Sequence, residues 1–371
     1  MRIRAITLHL VRLPLIEPYH VSYRVYEGFD PIVVEAEGED GTVGWGEGHI
    51  SPGYSEETVE GGFEFCRALA AEMAGRETAE AKALAAECRA ESPVAASALI
   101  TACEMLEGDP MLTLDRDVAL PLLTPFHATD PAAIPGEVER RLAEGFTTLK
   151  VKVGKDWRAD IERVARVRDA ARGRAVIRLD ANRGFPRADG IAFAEAMEPA
   201  GIELFEQPCA AADWDANAEV AAASPVPVML DESIYGIDDI ERAAAIPGIG
   251  FVKLKLKKMG GLADLRAGLA RIRALGMEPV LGDGVAADLG CWMEACIARL
   301  GRDGGITNAG EFNGFLKTRA RLFANPLPFR HGTLRLPAGY VPEIDRDALA
   351  AHARARLRVA PGARRRAAES A

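Results

Sequence analysis

The chain has 371 residues, 49% hydrophobic and 27% charged, which is an ordinary globular balance with room for a barrel and one more domain. With 45 basic against 55 acidic residues the net charge is −10, which argues against nucleic acid or an anionic membrane as the main partner. No apolar run reaches the roughly 18 residues of a membrane span. The six cysteines have no framework or metal-site spacing, so reduced thiols in a cytoplasmic protein are expected.

In chain order, the start MRIRAITLHLVRLPL alternates apolar and polar residues and reads as a strand rather than a signal peptide. Residues 3–13 and 31–39 are strand-like, and Gly38-Glu39-Asp40-Gly41 turns the chain into a third run at 42–47. A polar-aromatic loop is expected over 17–23, and a second loop over 49–57 contains Pro52-Gly53-Tyr54. Residues 57–105 have a helical pattern with a break at Ser92-Pro93. An α+β module over 1–115 follows from these elements.

Residues 116–328 alternate apolar runs with amphipathic helices. Eight strands are expected, at 119–124, 147–153, 175–182, 202–207, 226–232, 251–256, 278–283 and 306–311. Acidic residues suited to helix starts stand at Asp156 and Asp213. From 329 onward a short strand and loop are expected to return to the first module. The stretch 352–371, rich in Arg and Ala and including Arg364, Arg365 and Arg366, is expected to fray.

Five polar residues, Lys152, Asp180, Glu206, Asp231 and Lys255, close five successive runs at steps of 24 to 28 residues. Such a step is one strand, one helix and two short loops, so all five belong at one mouth of a parallel barrel. One acid at a strand end could equally cap a helix or pair with arginine. Three in succession, as Asp180-Ala181-Asn182, Glu206-Gln207-Pro208 and Asp231-Glu232-Ser233, favour a hard divalent cation such as Mg²⁺. Lys150 and Lys152 alternate with Leu149, Val151 and Val153, so both face the barrel interior. Lys253 and Lys255 repeat the alternation on the opposite side. A set of structural ion pairs is the plainer alternative.

These residues suit the removal of a proton from the carbon beside a carboxylate. That proton is too weakly acidic for an unaided lysine. A metal ion stabilises the enediolate that forms. Burial and neighbouring cations lower a lysine's pKa enough to provide the base, and a second lysine returns the proton on the other face.

In this combination the chain resembles the enolase superfamily, in its muconate lactonizing enzyme subgroup, over nearly its whole length. The resemblance implies an α/β fold: a (β/α) TIM-type barrel with an N-terminal α+β capping domain completed by the C-terminal segment over 329–371. It implies Asp180, Glu206 and Asp231 as ligands of Mg²⁺, with Mn²⁺ as a substitute, and Lys152 and Lys255 as the acid/base pair. Lys150 would support Lys152 or meet the substrate carboxylate. Asn182 and Glu232 would stand behind the ligands, with Lys253, Asp283 and Glu311 nearby. Tyr19, His20, Tyr23 and Tyr54 would sit in loops over the mouth and set specificity.

Glu311 resembles a glutamate of the subgroup's cycloisomerases. The strand-eight Asp-x-Asp of dipeptide epimerases is absent, and so is the His-Asp dyad of mandelate racemases. A Mg²⁺-dependent racemase or epimerase acting on an amino-acid derivative is expected. The alternatives are a muconate-type cycloisomerase, a syn-dehydratase of the o-succinylbenzoate synthase type, a Schiff-base aldolase using Lys255, and a non-catalytic barrel. The expected partner is a small-molecule carboxylate, and the resemblance implies a homo-oligomer.

Overall fold

Five strands open the chain: β1 (Ile3–Val11), β2 (Leu13–His20), β3 (Val25–Phe29), β4 (Pro31–Gly38) and β5 (Val43–His49). This computed structural model describes residues 1–21 and 24–361, so Tyr23 and the arginines at 364–366 lie outside the described residues. β1, β4 and β5 pair antiparallel in one sheet, while β2 and β3 form a separate hairpin. The loop expected over 17–23 is therefore partly strand, with Tyr19 opposite Tyr26 and His20 opposite Val25. Pro14 and Pro18 conceal it in the sequence, because proline cannot donate to a ladder, and the register is interrupted between Pro14 and Tyr19.

Three helices follow: α1 (Val59–Met73), α2 (Thr78–Glu87) and α3 (Pro93–Leu106). The Thr58 side chain accepts the Gly61 N–H at the start of α1. At the start of α3, Pro93 needs no hydrogen-bond partner and Glu57 accepts the Val94 N–H at 3.1 Å. α3 lies directly on β5 because β5 alternates glycines there. A Cβ on Gly46 would stand 1.9 Å from the Ala98 carbonyl oxygen, and one on Gly44 2.2 Å from that of Ala102.

After β6 (Val118–Pro121) the barrel sheet begins with β7 (Thr124–Phe126), followed by α4 (Ile134–Ala143). The alternation continues through β8 (Thr148–Lys152), α5 (Trp157–Ala171), β9 (Val176–Asp180), α6 (Arg187–Glu195), β10 (Ile202–Glu206) and α7 (Trp214–Ala223). Next are β11 (Val228–Leu230), α8 (Ile237–Ala244), β12 (Ile249–Leu254), the single turn α9 (Leu256–Met259), α10 (Leu262–Ala274), β13 (Glu278–Leu281) and α11 (Asp288–Ala298). β7 to β13 pair in chain order, each parallel to the next. Asp156 and Asp213 cap α5 and α7 with their side chains, as their positions lead one to expect.

Two expected strands differ from what the structure contains. The run at 119–124 splits at Leu122, so that only β7 joins the barrel sheet. The run at 306–311 is reduced to an isolated bridge between Gly310 and Leu122. There the ring closes through Gly310 N–H to the Pro121 carbonyl at 2.9 Å and Glu311 N–H to that of Leu281 at 2.9 Å. Gly310 bends the chain so tightly that a Cβ would meet the Phe312 ring at 2.1 Å, which leaves no length for a ladder.

The last elements are β14 (Phe329–Arg330), β15 (Thr333–Leu336), α12 (Arg346–His352) and β16 (Ala353–Val359). The strand expected just after 329 does not reach the first sheet, because β15 pairs with β6. The return is made instead by β16, which pairs antiparallel with β1 in a stretch expected to fray. Its period-two pattern explains this: Ala355, Leu357 and Val359 are less exposed than the alternating Arg354, Arg356 and Arg358.

Candidate active site

Strand period places the charged residues. On β8, Leu149 and Val151 pack outward in the apolar core while Lys150 and Lys152 point inward. Asp180 and Glu206 end β9 and β10, and Asp231 and Lys255 come one residue after β11 and β12. All five residues from which the site was inferred therefore meet at one end of the barrel. Below them, Leu204, Met229 and Val280 form an apolar plug.

The acids and lysines interleave. The Lys150 ammonium, 1% exposed, lies 2.8 Å from Asp180, 2.7 Å from Glu206 and 2.8 Å from Glu311. Lys253 contacts Glu206 at 3.1 Å and also pairs with Glu311. Lys152 donates to Asp180 at 2.6 Å and to the Asn182 side-chain oxygen at 2.5 Å. Across the mouth, Lys255 donates to Asp231 at 2.8 Å. Asn182 also donates to Glu232 at 3.2 Å.

The electrostatics follow from burial and these partners. Burial raises the carboxyl pKa of Glu206, and Asp180 beside it adds to the effect. Burial likewise pushes Glu232 up to about 7, with help from Asp231 and Asp180. Asp180 is held down at about 2, because Lys150 and Lys152 outweigh its burial. The lowered lysine pKa expected from sequence is reversed at Lys255. Burial depresses it, but Asp231, Asp283 and Glu232 together outweigh burial and raise it well above the ordinary value.

The donor set suits a hard divalent cation. Three buried carboxylates stand on neighbouring strand ends, and Glu206 Oε2 faces the Lys150 ammonium at 2.7 Å, so the row already holds positive charge close to its oxygens. Among the described residues no three acids converge closely enough to share an ion as the side chains stand, since lysine ammoniums lie between them.

Sequence reasoning missed several residues here. Lys258 is 1% exposed and donates to the Asp231 carbonyl at 2.6 Å and its carboxylate at 3.0 Å. Lys257 pairs with Asp283 at 2.7 Å. Their place right after Lys255, on α9, was the available signal. Gln207 accepts the Asp231 N–H at 2.9 Å and the Ser233 N–H at 3.2 Å. Its backbone φ of 36° is sparsely populated for a side-chain-bearing residue, and this network holds it there.

From the cap, Tyr19 and Tyr54 line a mouth cavity of about 40 Å³, together with Lys152, Lys255, Asp283 and Glu311. Burial raises the pKa of both tyrosines. His20 lies apart from that cavity. It lines an adjoining cleft of about 670 Å³ that reaches Lys152 and Asn182.

A capped barrel with lysines on both sides of a row of acids is the architecture of an enolase-superfamily enzyme. The chain belongs to the enolase C-terminal domain-like family, whose model matches residues 133–348. It is 26% identical over 352 residues to the L-Ala-D/L-Glu epimerase of Bacillus subtilis (strain 168), covering 91% of this chain and 95% of that one. The N-succinyl Arg/Lys racemase of Bacillus cereus ATCC 14579 superposes with a TM-score of 0.87 at 24% identity, over 97% of this chain and 100% of that one. A dipeptide epimerase of Cytophaga hutchinsonii, solved with Mg and the dipeptide D-Ala-L-Val, gives 0.86 at 21% identity over the same shares. Among the described residues no helix is long and apolar enough to cross a membrane.

Proposed function

We propose that this protein racemises or epimerises an amino-acid derivative by moving the proton on the carbon beside its carboxylate. The observation that carries this reading is the pair of ammonium groups at opposite ends of the acid row, Lys152 on Asp180 and Lys255 on Asp231. One lysine in its amine form takes the proton, and the other returns one to the opposite face. A divalent cation, Mg²⁺ with Mn²⁺ as a substitute, would be held by Asp180, Glu206 and Asp231 and supplies positive charge beside the substrate carboxylate as the enediolate develops.

Buried ion pairs are weak contributors to stability, because desolvation offsets their attraction. A cluster of this size at a cavity wall is better explained by chemistry than by structure. Relatives named as epimerases and racemases of amino-acid derivatives support the substrate class. Glu311, the residue that suggested a cycloisomerase, has both oxygens engaged by Lys150 and one also by Lys253.

The test is a screen of N-acyl amino acids, dipeptides and proline derivatives for deuterium uptake at the α-carbon in D₂O with Mg²⁺. Lys152→Ala and Lys255→Ala should each abolish inversion, and each should still exchange the α-proton of one enantiomer. Inversion at wild-type rate in both variants would falsify the assignment.

A further inference from the structure

The two lysines are held differently. Among the described residues Lys152 has two acceptors, Asp180 and Asn182, both on the barrel, and its side chain is 22% exposed. Lys255 has one barrel acceptor, Asp231, and its second is the Tyr54 hydroxyl at 3.1 Å. The same hydroxyl donates to Asp231 at 2.9 Å, and the Lys255 ammonium sits 4.2 Å from the centre of the Tyr54 ring. A cation against an aromatic face is attracted by it, most strongly where water is excluded, and the Lys255 side chain is 8% exposed.

Tyr54 comes from the cap, on a loop tied down at several points. Lys257 donates to the His49 carbonyl at 3.0 Å, Tyr54 N–H to the Ser51 carbonyl at 2.9 Å, and Arg183 to the Gly53 carbonyl at 2.7 Å. Gly53 has a φ of +92°, a conformation other residues rarely adopt, which turns Tyr54 toward the barrel.

We infer that Tyr54 is the positioning residue for Lys255: among the described residues both hydrogen-bond acceptors of Lys152 stand on the barrel, whereas one of the two that hold Lys255 is supplied by the cap. This rests on the proposed two-lysine reaction. In it, one lysine nitrogen takes the α-proton and the C–H bonding pair passes into the enediolate. The opposing ammonium then gives a proton to carbon, and its N–H pair stays on nitrogen. With two of the three Lys255 donor positions fixed by Asp231 and Tyr54, the third is left for the substrate carbon. Without Tyr54 the ammonium can swing about one anchor, and misplacement of a reacting group by about 1 Å costs on the order of 100-fold.

The experiment compares wild type, Tyr54→Phe and Tyr54→Leu with Mg²⁺ in D₂O, measuring deuterium uptake into the starting enantiomer and inversion separately. The enantiomer still exchanged by Lys255→Ala identifies the substrate of Lys152. For that enantiomer, Tyr54→Leu should keep uptake near the wild-type rate and slow inversion by about 10- to 100-fold. For the other enantiomer both should slow together. Tyr54→Phe, which keeps the ring over the ammonium, should fall between. A readout free of turnover is acylation of the metal-free protein mapped by mass spectrometry, where Tyr54→Leu should raise labelling of Lys255 and leave Lys152 unchanged.

Equal loss of uptake and inversion for both enantiomers would mean a purely structural role and overturn the inference, as would Tyr54 variants that match wild type. Absence of any α-exchange by the wild-type enzyme, or inversion surviving in the lysine variants, would instead overturn the reaction itself.

Discussion

Removal of the Lys150 ammonium would leave Asp180, Glu206 and Glu311 buried around the space it fills. Breaking a buried ion pair by taking away one partner typically costs about 3–5 kcal/mol, because the remaining charge is uncompensated. Lys150→Met is therefore expected to unfold at markedly lower denaturant in EDTA, whereas Lys152→Met, at a site solvent already reaches, should shift little. Added Mg²⁺ should raise the melting temperature of Lys150→Met by more than that of wild type, since the cation replaces the missing charge. Equal Mg²⁺ shifts would mean that the Lys150 charge does not compete with the ion, and no shift in either protein would mean that the acid row does not bind it. The inward pair Lys150 and Lys152 was legible from alternation alone. The engagement of Asp231 by Gln207, Lys258 and Tyr54 was not, because it depends on loop paths that no period encodes.

Helices of the barrel are capped by acids of the cap, which fixes one body on the other. Glu47 of β5 accepts the Ala287 N–H at 2.6 Å and the Gly290 N–H at 3.1 Å at the start of α11. Glu104 of α3 accepts the Leu262 N–H at 3.0 Å at the start of α10. Such carboxylates satisfy orphan donors and complement the helix dipole. Burial still pushes Glu47 up from 4.5 to about 7, the backbone N–H groups offsetting only part of the effect.

The native state thus holds this proton more tightly than the unfolded chain does. Its contribution to stability is full below pH 4.5 and is lost as pH rises to about 7, amounting to about 3 kcal/mol. Glu47→Gln keeps an acceptor oxygen and has no charge to develop. Urea unfolding at about pH 5 and about pH 8 should show the variant gaining stability relative to wild type across that interval. A difference that stays flat with pH would show that Glu47 does not titrate there.

Across the whole molecule, what could be read in advance was whatever repeats. The βα step of 24 to 28 residues and the inward-facing alternation located the barrel and its charged mouth. The eighth strand is not legible in the sequence because closure depends on one glycine and a few backbone hydrogen bonds, from Gly310 to Pro121, Glu311 to Leu281 and Leu123 to Gly310, rather than on a run of apolar residues. The last strand was misjudged for the opposite reason. Ala355, Leu357 and Val359 do alternate with Arg354, Arg356 and Arg358, but the arginines suggested a basic tail.

That strand matters to the chain as a whole because it joins the two ends. β16 pairs with β1 from Ile6 opposite Val359 to Val11 opposite Ala353, and without it β1 becomes an edge. An uncovered strand edge invites pairing with other chains. Its loss would also unseat Val359 from the apolar cluster that holds α1 and α3 on the sheet. Truncation after residue 352 is therefore expected to lower the melting temperature and cause concentration-dependent aggregation, measured by light scattering. Truncation after residue 361 keeps every pair of that ladder and should do neither. If both truncations behaved alike, the stability of the cap would have to come from its helices rather than from closure of the chain on itself.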